Sequence, residues 1–420
     1  MPDVIVVGAR VAGSATAMLL ARQGLDVLVV DRASFPSDTL STHQIQVPGV
    51  ARLARWGLLE RLLAGGTPPT RHVSFDACVA RLEGCFPEFE GVDAMLSPRR
   101  TLLDAVLVDA ARDAGAEVRE GFPVEEVLIE DGRVTGIRGR GIEERAPLVI
   151  GADGKHSLVA KAVGAPAYNE KPALSIAYYT YWEGVEVEGG EMVQRPRRAV
   201  GVWPTNDGLV LTYVACPHDE FHAFKADVEG NFLATLDLCG DVGERFRAGR
   251  RADRFYGTAD LPNRFRRPYG PGWALVGDAG LVMDPITGRG IGDAFRDAEL
   301  LAGAIVRGDD LALYEQRRNE AALPDYELAT RLASFEPQKP EERLLFEALA
   351  RRPEDARRFL GVLTGSEPMA DFFTAGNLKR ILGVRGMAKL ALGKIQRPPR
   401  PVADASRAAA RSNTSLLPSE

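Results

Sequence analysis

Residues 4–7, Val-Ile-Val-Val, form a β-branched run of the kind that fills a buried parallel strand, and the run ends at Gly8. Gly8-Ala9-Arg10-Val11-Ala12-Gly13 follows. Residues 14–23 then carry apolar side chains at helical spacing (Ala15, Met18, Leu19) until Gly24 stops the helix. Residues 27–30 give a second strand that ends in Asp31. Strand, glycine turn, helix, strand and terminal acid occupy about thirty residues, the context in which a glycine pattern becomes a dinucleotide-binding prediction. It commits the chain to an α/β fold with a parallel sheet.

Gly8 turns the chain tightly, and Gly13 lets the helix pack close to the sheet. The free amides at the helix start, around Arg10, Val11 and Ala12, then face a pyrophosphate. Asp31 lies 18 residues after Gly13, with Arg32 next to it, where a carboxylate accepts hydrogen bonds from an adenosine ribose. An acid there disfavours a phosphate on that ribose, so FAD or NAD fits better than NADP. Arg10 breaks the pattern, because a second glycine normally lets the backbone approach the diphosphate. Either the motif is defunct or the side chain swings outward while the backbone keeps the fold. The second is expected, since every other element is in place and a cation near a diphosphate is electrostatically tolerable.

Composition excludes several classes. The chain has 420 residues, which suggests two to three domains. With 52 basic and 58 acidic residues, its net charge of −6 argues against a general nucleic-acid binder. Cys78, Cys85, Cys216 and Cys239 form no CxxC pair and no metal-ligand spacing, so reduced thiols and no metal are expected. No segment approaches the ~20 uncharged apolar residues of a membrane helix. The start, Met1-Pro2-Asp3, lacks the basic flank of a signal peptide. The chain reads as soluble and cytoplasmic, without a membrane anchor.

Two further glycine-bearing turns lie far downstream. The apolar strand 148–150 leads into Gly151-Ala152-Asp153-Gly154-Lys155-His156-Ser157. The strand 273–276 ends in Gly277-Asp278-Ala279, followed by Asp284-Pro285, Gly288-Arg289-Gly290-Ile291-Gly292 and a helix over about 291–306. In this order, over residues 3–306, the three motifs resemble the p-hydroxybenzoate-hydroxylase-like flavoprotein monooxygenases, with their glutathione-reductase-type FAD domain. The resemblance implies roles position by position. Gly8 to Gly13 would be the pyrophosphate loop and Asp31 the ribose acid. Arg100 would begin a helix beside the ribityl-diphosphate region, and Asp153 would support both FAD and nicotinamide binding. Asp278 would accept a ribityl hydroxyl, and Pro285, Gly288, Gly290, Ile291 and Gly292 would face the flavin's pyrimidine edge. A glycine-rich helix start is positive where reduced flavin becomes negative, an effect of about 0.3–1 kcal/mol at an exposed site. Two positions depart from the family. Ala160, followed by Lys161, stands where an arginine is usual, and Gly292 replaces an asparagine.

The expected organisation is a Rossmann-like FAD-binding domain (1–75 with 96–165 and 265–306). A mainly antiparallel β-sheet substrate domain (76–95 with 166–264) is inserted into it. A helical C-terminal region (307–395) and a flexible tail (396–420) follow, and helices are predicted over 311–330 and 341–363. Asp207-Gly208 between two apolar runs is a hairpin signal. Tyr179, Tyr181, Trp203 and Tyr213 alternate, so one sheet face either lines an aromatic substrate cavity or simply packs the core. The loop 35–44 is polar; its Thr42 and His43 should pass near the flavin. His43 is a candidate proton donor, with a surface or capping role as the alternative.

The resemblance implies an FAD-dependent monooxygenase that uses O2 and NADH or NADPH through a flavin hydroperoxide to hydroxylate or epoxidise a small, largely apolar or aromatic substrate. A separate flavin reductase as electron source, and a monomer or homodimer, stay open. The alternatives are a flavin-dependent prenyl-type alkene reductase or dehydrogenase, or a non-catalytic flavin-binding relative. Against prenyl reduction, the loop after the second strand lacks a cysteine. Against halogenation, no lysine precedes Lys155.

Overall fold

The computed structural model describes residues 1–395; the tail expected from residue 396 lies outside the described residues. A six-stranded sheet runs in the order Tyr269–Gly270, Trp273–Leu275, Leu148–Gly151, Val4–Val7, Val27–Val30, Glu117–Arg119. Only the Tyr269–Gly270 edge is antiparallel to its neighbour. Val4–Val7 is buried along its length because both sheet faces are covered. Val4 and Val6 face helices Val11–Ala21, Arg100–Asp113 and Gly290–Arg307, in the core they share with Met18, Leu107 and Phe295. Ile5 and Val7 face a small sheet of Glu126–Glu130, Arg133–Gly139 and Ile142–Arg145, through Val127, Val134 and Ile137.

The second large sheet has eight strands, built around Ser175–Glu183, Val210–Pro217, Arg198–Pro204 and Gly190–Arg195. The predicted hairpin is there: Asn206–Gly208 joins Arg198–Pro204 to Val210–Pro217, with Asp207 at φ 63°. Alternation divides the faces. Tyr179, Tyr181, Trp203 and Tyr213 join the core shared with the nucleotide-binding layer. Tyr178, Trp182 and Val202 pack instead on Phe232, Leu236 and Phe246.

The α/β architecture, the inserted antiparallel sheet and the helical C-terminal region are as expected. Details differ. The segment between 166 and 264 also holds helices Phe221–Ala226, Val228–Asp237 and Val242–Ala248, which cover the back of the large sheet. The edge drawn at 75/76 falls inside a strand, His72–Asp76. The single helix expected over 341–363 is two, Pro340–Leu349 and Pro353–Thr364, because proline suits a helix start and disfavours helical backbone in the residue before it, here Arg352 at φ −140°. No helix among the described residues is long and apolar enough to cross a membrane.

Candidate functional site

The three glycine turns meet at the carboxyl ends of Val4–Val7, Leu148–Gly151 and Trp273–Leu275, where open α/β sheets bind ligands. Their contact is backbone-close. Gly8 has φ 104°, and a Cβ there would lie 2.6 Å from the Ala152 carbonyl oxygen. A Cβ at Gly13 would lie 1.8 Å from the Gly8 carbonyl oxygen, and one at Gly277 (φ 60°) 2.7 Å from Cβ of Ala12. No side chain caps the start of Val11–Ala21, so its first amides are free for an anion.

Asp31 ties the turn together. Its Oδ2 accepts the Ala9 amide at 2.7 Å and its Oδ1 the Ala33 amide at 2.8 Å, which leaves lone pairs on both oxygens. Arg10 does swing outward: Nη1 donates to Asp104 Oδ2 at 2.5 Å, and Nη2 donates to Ser37 Oγ at 3.0 Å. Arg100 is buried against the same carboxylate, donating from Nε and Nη2 at 3.1 and 2.8 Å. Asp153 serves its own loop, accepting the Ser157 hydroxyl at 2.5 Å and the Leu158 amide at 2.6 Å. Arg32 is exposed and Thr42 half-buried, and neither side chain makes a hydrogen bond among the described residues.

Solvent reaches Asp278 on the crevice wall, yet protein encloses the crevice closely enough that burial pushes its carboxyl up to about 6. Fully buried Asp284 is also raised to about 6 by burial, and it accepts the Ser175 hydroxyl at 2.5 Å. Next to it, the turn Pro285–Thr287 and Gly288 lead into helix Gly290–Arg307, whose start has no side-chain cap.

Several residues of this site escaped the sequence reading. Gln44 lies against Gly288, and Gln46 Nε2 donates to the Thr287 carbonyl oxygen at 3.1 Å. Gln46 Oε1 and Thr287 Oγ1 are buried without hydrogen-bond partners among the described residues. The two amides spaced one residue apart in a polar loop were the available signal. Arg289 holds the turn from behind, pairing with Asp325 and donating to the Val362 carbonyl oxygen at 2.7 Å.

His43 is fully buried, so its surface alternative fails. It has φ 61°, a strained conformation for a residue with a Cβ. Its Nε2 is hydrogen-bonded to the Tyr181 hydroxyl, its ring stacks on Tyr181 at 5.7 Å, and Nδ1 has no partner. Burial, with the nearby Arg100 and Arg99 charges, holds it well below the usual histidine range, so it is neutral at pH 7. Tyr179 accepts the Ser41 amide at 3.2 Å and is pushed up to about 12 by burial. Tyr213 is buried with an unpartnered hydroxyl, and Trp203 is buried beside it in the same core.

Beyond Asp153 runs a groove of about 610 Å³ lined by Lys155, Lys161, Arg264 and Arg266. Asp260 pairs with Lys155 at 3.1 Å, whereas Lys161 has no acidic partner among the described residues.

A cradle of glycines that no Cβ could enter, an uncapped helix start and an acid at each end define a dinucleotide-binding flavoprotein fold, and the residues fit FAD. The model of the FAD binding domain family matches residues 1–327, and the chain belongs to that family. The resemblance read from the three motifs is thereby borne out. The chain is 33% identical to Protein FixC of Salmonella typhimurium, over 74% of this chain and 74% of that protein. It is 28% identical to the digeranylgeranylglycerophospholipid reductase of Methanosarcina mazei, over 73% and 76% of the two chains. Among solved structures, a flavoprotein/dehydrogenase from Cytophaga hutchinsonii superposes with TM-score 0.76 at 20% identity, over 93% of this chain and 100% of that one. PqsL of Pseudomonas aeruginosa, described as a probable FAD-dependent monooxygenase, gives 0.63 at 21%, over 86% and 99%. At such identities these structures share the fold. The protein is an FAD-dependent oxidoreductase by family.

Proposed function

We propose that the protein is a monooxygenase that hydroxylates or epoxidises a small, largely apolar or aromatic compound with O2 and NADH or NADPH. The observation that supports this reading is the buried aromatic face of Tyr179, Tyr181, Trp203 and Tyr213, with neutral His43 stacked on Tyr181. Oxygen chemistry needs water kept out, and a packed aromatic face achieves that. FAD, when bound, supplies the redox chemistry by taking a hydride equivalent and passing on electrons. The chain does the rest. The Gly8–Gly13 turn and helix start hold the diphosphate, Asp31 the ribose and Asp278 a ribityl hydroxyl. The start of Gly290–Arg307 stabilises negative charge on the ring's pyrimidine edge. Arg100, with Asp104 bound to it, brings positive charge toward the diphosphate. The groove of Lys155, Lys161, Arg264 and Arg266 would receive the phosphates of the nicotinamide donor, with Lys161 supplying charge where the family has an arginine. His43 would accept or return a proton at Nδ1, held in place by Tyr181.

A second reading, alkene reduction, is favoured by the name of the Methanosarcina relative. Anaerobic reduction by NADH and by NADPH, followed by ¹⁸O2 in the presence of aromatic and polyene compounds, separates the two. Monooxygenation puts one ¹⁸O into the product. Reduction yields a product two hydrogens heavier with no O2 consumed, and that result sinks the first reading.

A further inference from the structure

Arg10 is the chain's largest departure from the glycine pattern, and its side chain does not merely avoid the crevice. Nη1 donates to the Ser37 carbonyl oxygen at 3.3 Å as well as to buried Asp104, and Nη2 reaches Ser37 Oγ at 3.0 Å and the Asp38 carbonyl oxygen at 3.2 Å. The guanidinium also lies 5.4 Å from the centre of the Phe35 ring. One planar fork thus gathers Phe35, Ser37 and Asp38 of the 35–43 segment. The fork is itself fixed: Asp104 is fully buried and shared with Arg100. The far end of the segment is tied to the large sheet where Tyr179 accepts the Ser41 amide, and His43 donates its amide to Ser41 Oγ at 3.1 Å.

We propose that Arg10 is a positioning residue that clamps the 35–43 segment onto the diphosphate turn, and so holds His43 in the aromatic cluster. The turn that receives the cofactor and the loop that delivers His43 become one mechanical unit. A glycine at this position would give the turn its usual shape and leave the loop held by Glu120 at the Phe35 amide, Arg99 at the Asp38 carboxylate, Tyr179 at the Ser41 amide and Tyr181 at the His43 ring. Ser37 is half-buried and Asp38 exposed, so water replaces the lost partners, and the segment loosens without unfolding the domain. The clamp goes beyond the proposed oxidation and depends on the flavin reading only for which ligand the turn holds.

The test uses amide hydrogen exchange and histidine NMR on the full chain, with and without added FAD. In Arg10→Gly the amides of residues 37–43 should exchange at least tenfold faster, while those of Gly290–Arg307 are unchanged. The His43 ring, which resists protonation in the parent, should titrate nearer to the ordinary value of about 6.5. Arg10→Lys keeps the charge without the fork and should recover part of the protection. FAD should slow exchange of 37–43 in the parent but not in Arg10→Gly, although that variant still binds FAD. Parent-like exchange and His43 titration in Arg10→Gly would overturn the clamp. A parent that takes up no FAD would overturn the flavin reading instead, and the ligand-free exchange data would still decide the clamp.

Discussion

Asp284 shows how a single buried carboxyl makes stability depend on pH. Its folded value of about 6 lies above the ordinary aspartate value, so between the two the native state holds a proton that the unfolded chain has released. This contribution is therefore present at low pH and is lost as pH rises through about 6. Asp284→Asn keeps an acceptor for the Ile286 amide and turns its NH2 toward Ser175 Oγ, which can accept, but cannot ionise. Relative to the parent, the variant should gain about 1.4 kcal/mol between pH 5 and pH 8, measured by urea unfolding at a fixed cofactor level. A pH-independent difference would show that Asp284 ionises freely. His43 runs the other way. Its value is depressed, so protonation of the unfolded chain below about 6.5 costs native stability, and the Asp284 effect must be read as a difference between proteins.

At the scale of elements, the cofactor turn depends on helices far along the chain. Arg289 immediately precedes helix Gly290–Arg307, pairs with Asp325 in Leu311–Ala333 and donates to carbonyl oxygens of Val362 and Leu363 in Pro353–Thr364. Both partners of the ion pair are largely buried, so Arg289→Ala strands a carboxylate and should cost about 3–5 kcal/mol, read from the urea midpoint. A loss below 1 kcal/mol would mean that water already reaches the pair. What was legible in the sequence follows the same division. Val4–Val7, Val11–Ala21 and Val27–Val30 were readable because strand, turn, helix and acid are set by neighbours in sequence. The roles of Gln44, Gln46 and Asp104 were not, because each depends on a partner brought by tertiary packing, such as Gly288, Thr287 or Arg10. Helices Val228–Asp237 and Val242–Ala248 are hard to read because they are short and each carries a glycine near its start, Gly230 and Gly243. The break before Pro353 is legible in the sequence, since proline favours the first turn of a new helix.

For the whole molecule, the question is whether the two large sheets open together. Strand Ser175–Glu183 sits in both cores: Tyr179 and Tyr181 pack with the nucleotide-binding layer, and Tyr178 and Trp182 with the helices behind. Cys216 and Cys239 lie in that rear core, where burial pushes their thiols up to about 12 and about 11, while Cys78 and Cys85 are exposed. A thiol reagent should therefore label two cysteines quickly in the native protein and the other two only after opening. FAD binds a crevice assembled from three distant segments, which the unfolded chain lacks, so at 100 times its Kd it should stabilise the native state by about 2.7 kcal/mol. If the shared strand makes opening of the rear core require loss of the crevice, FAD slows labelling of Cys216 and Cys239 about 100-fold. Labelling of Cys78 and Cys85 stays unchanged. If the rear helices peel away alone, FAD leaves all four rates as they were, and the strand is then a boundary between independent units rather than the bond between them.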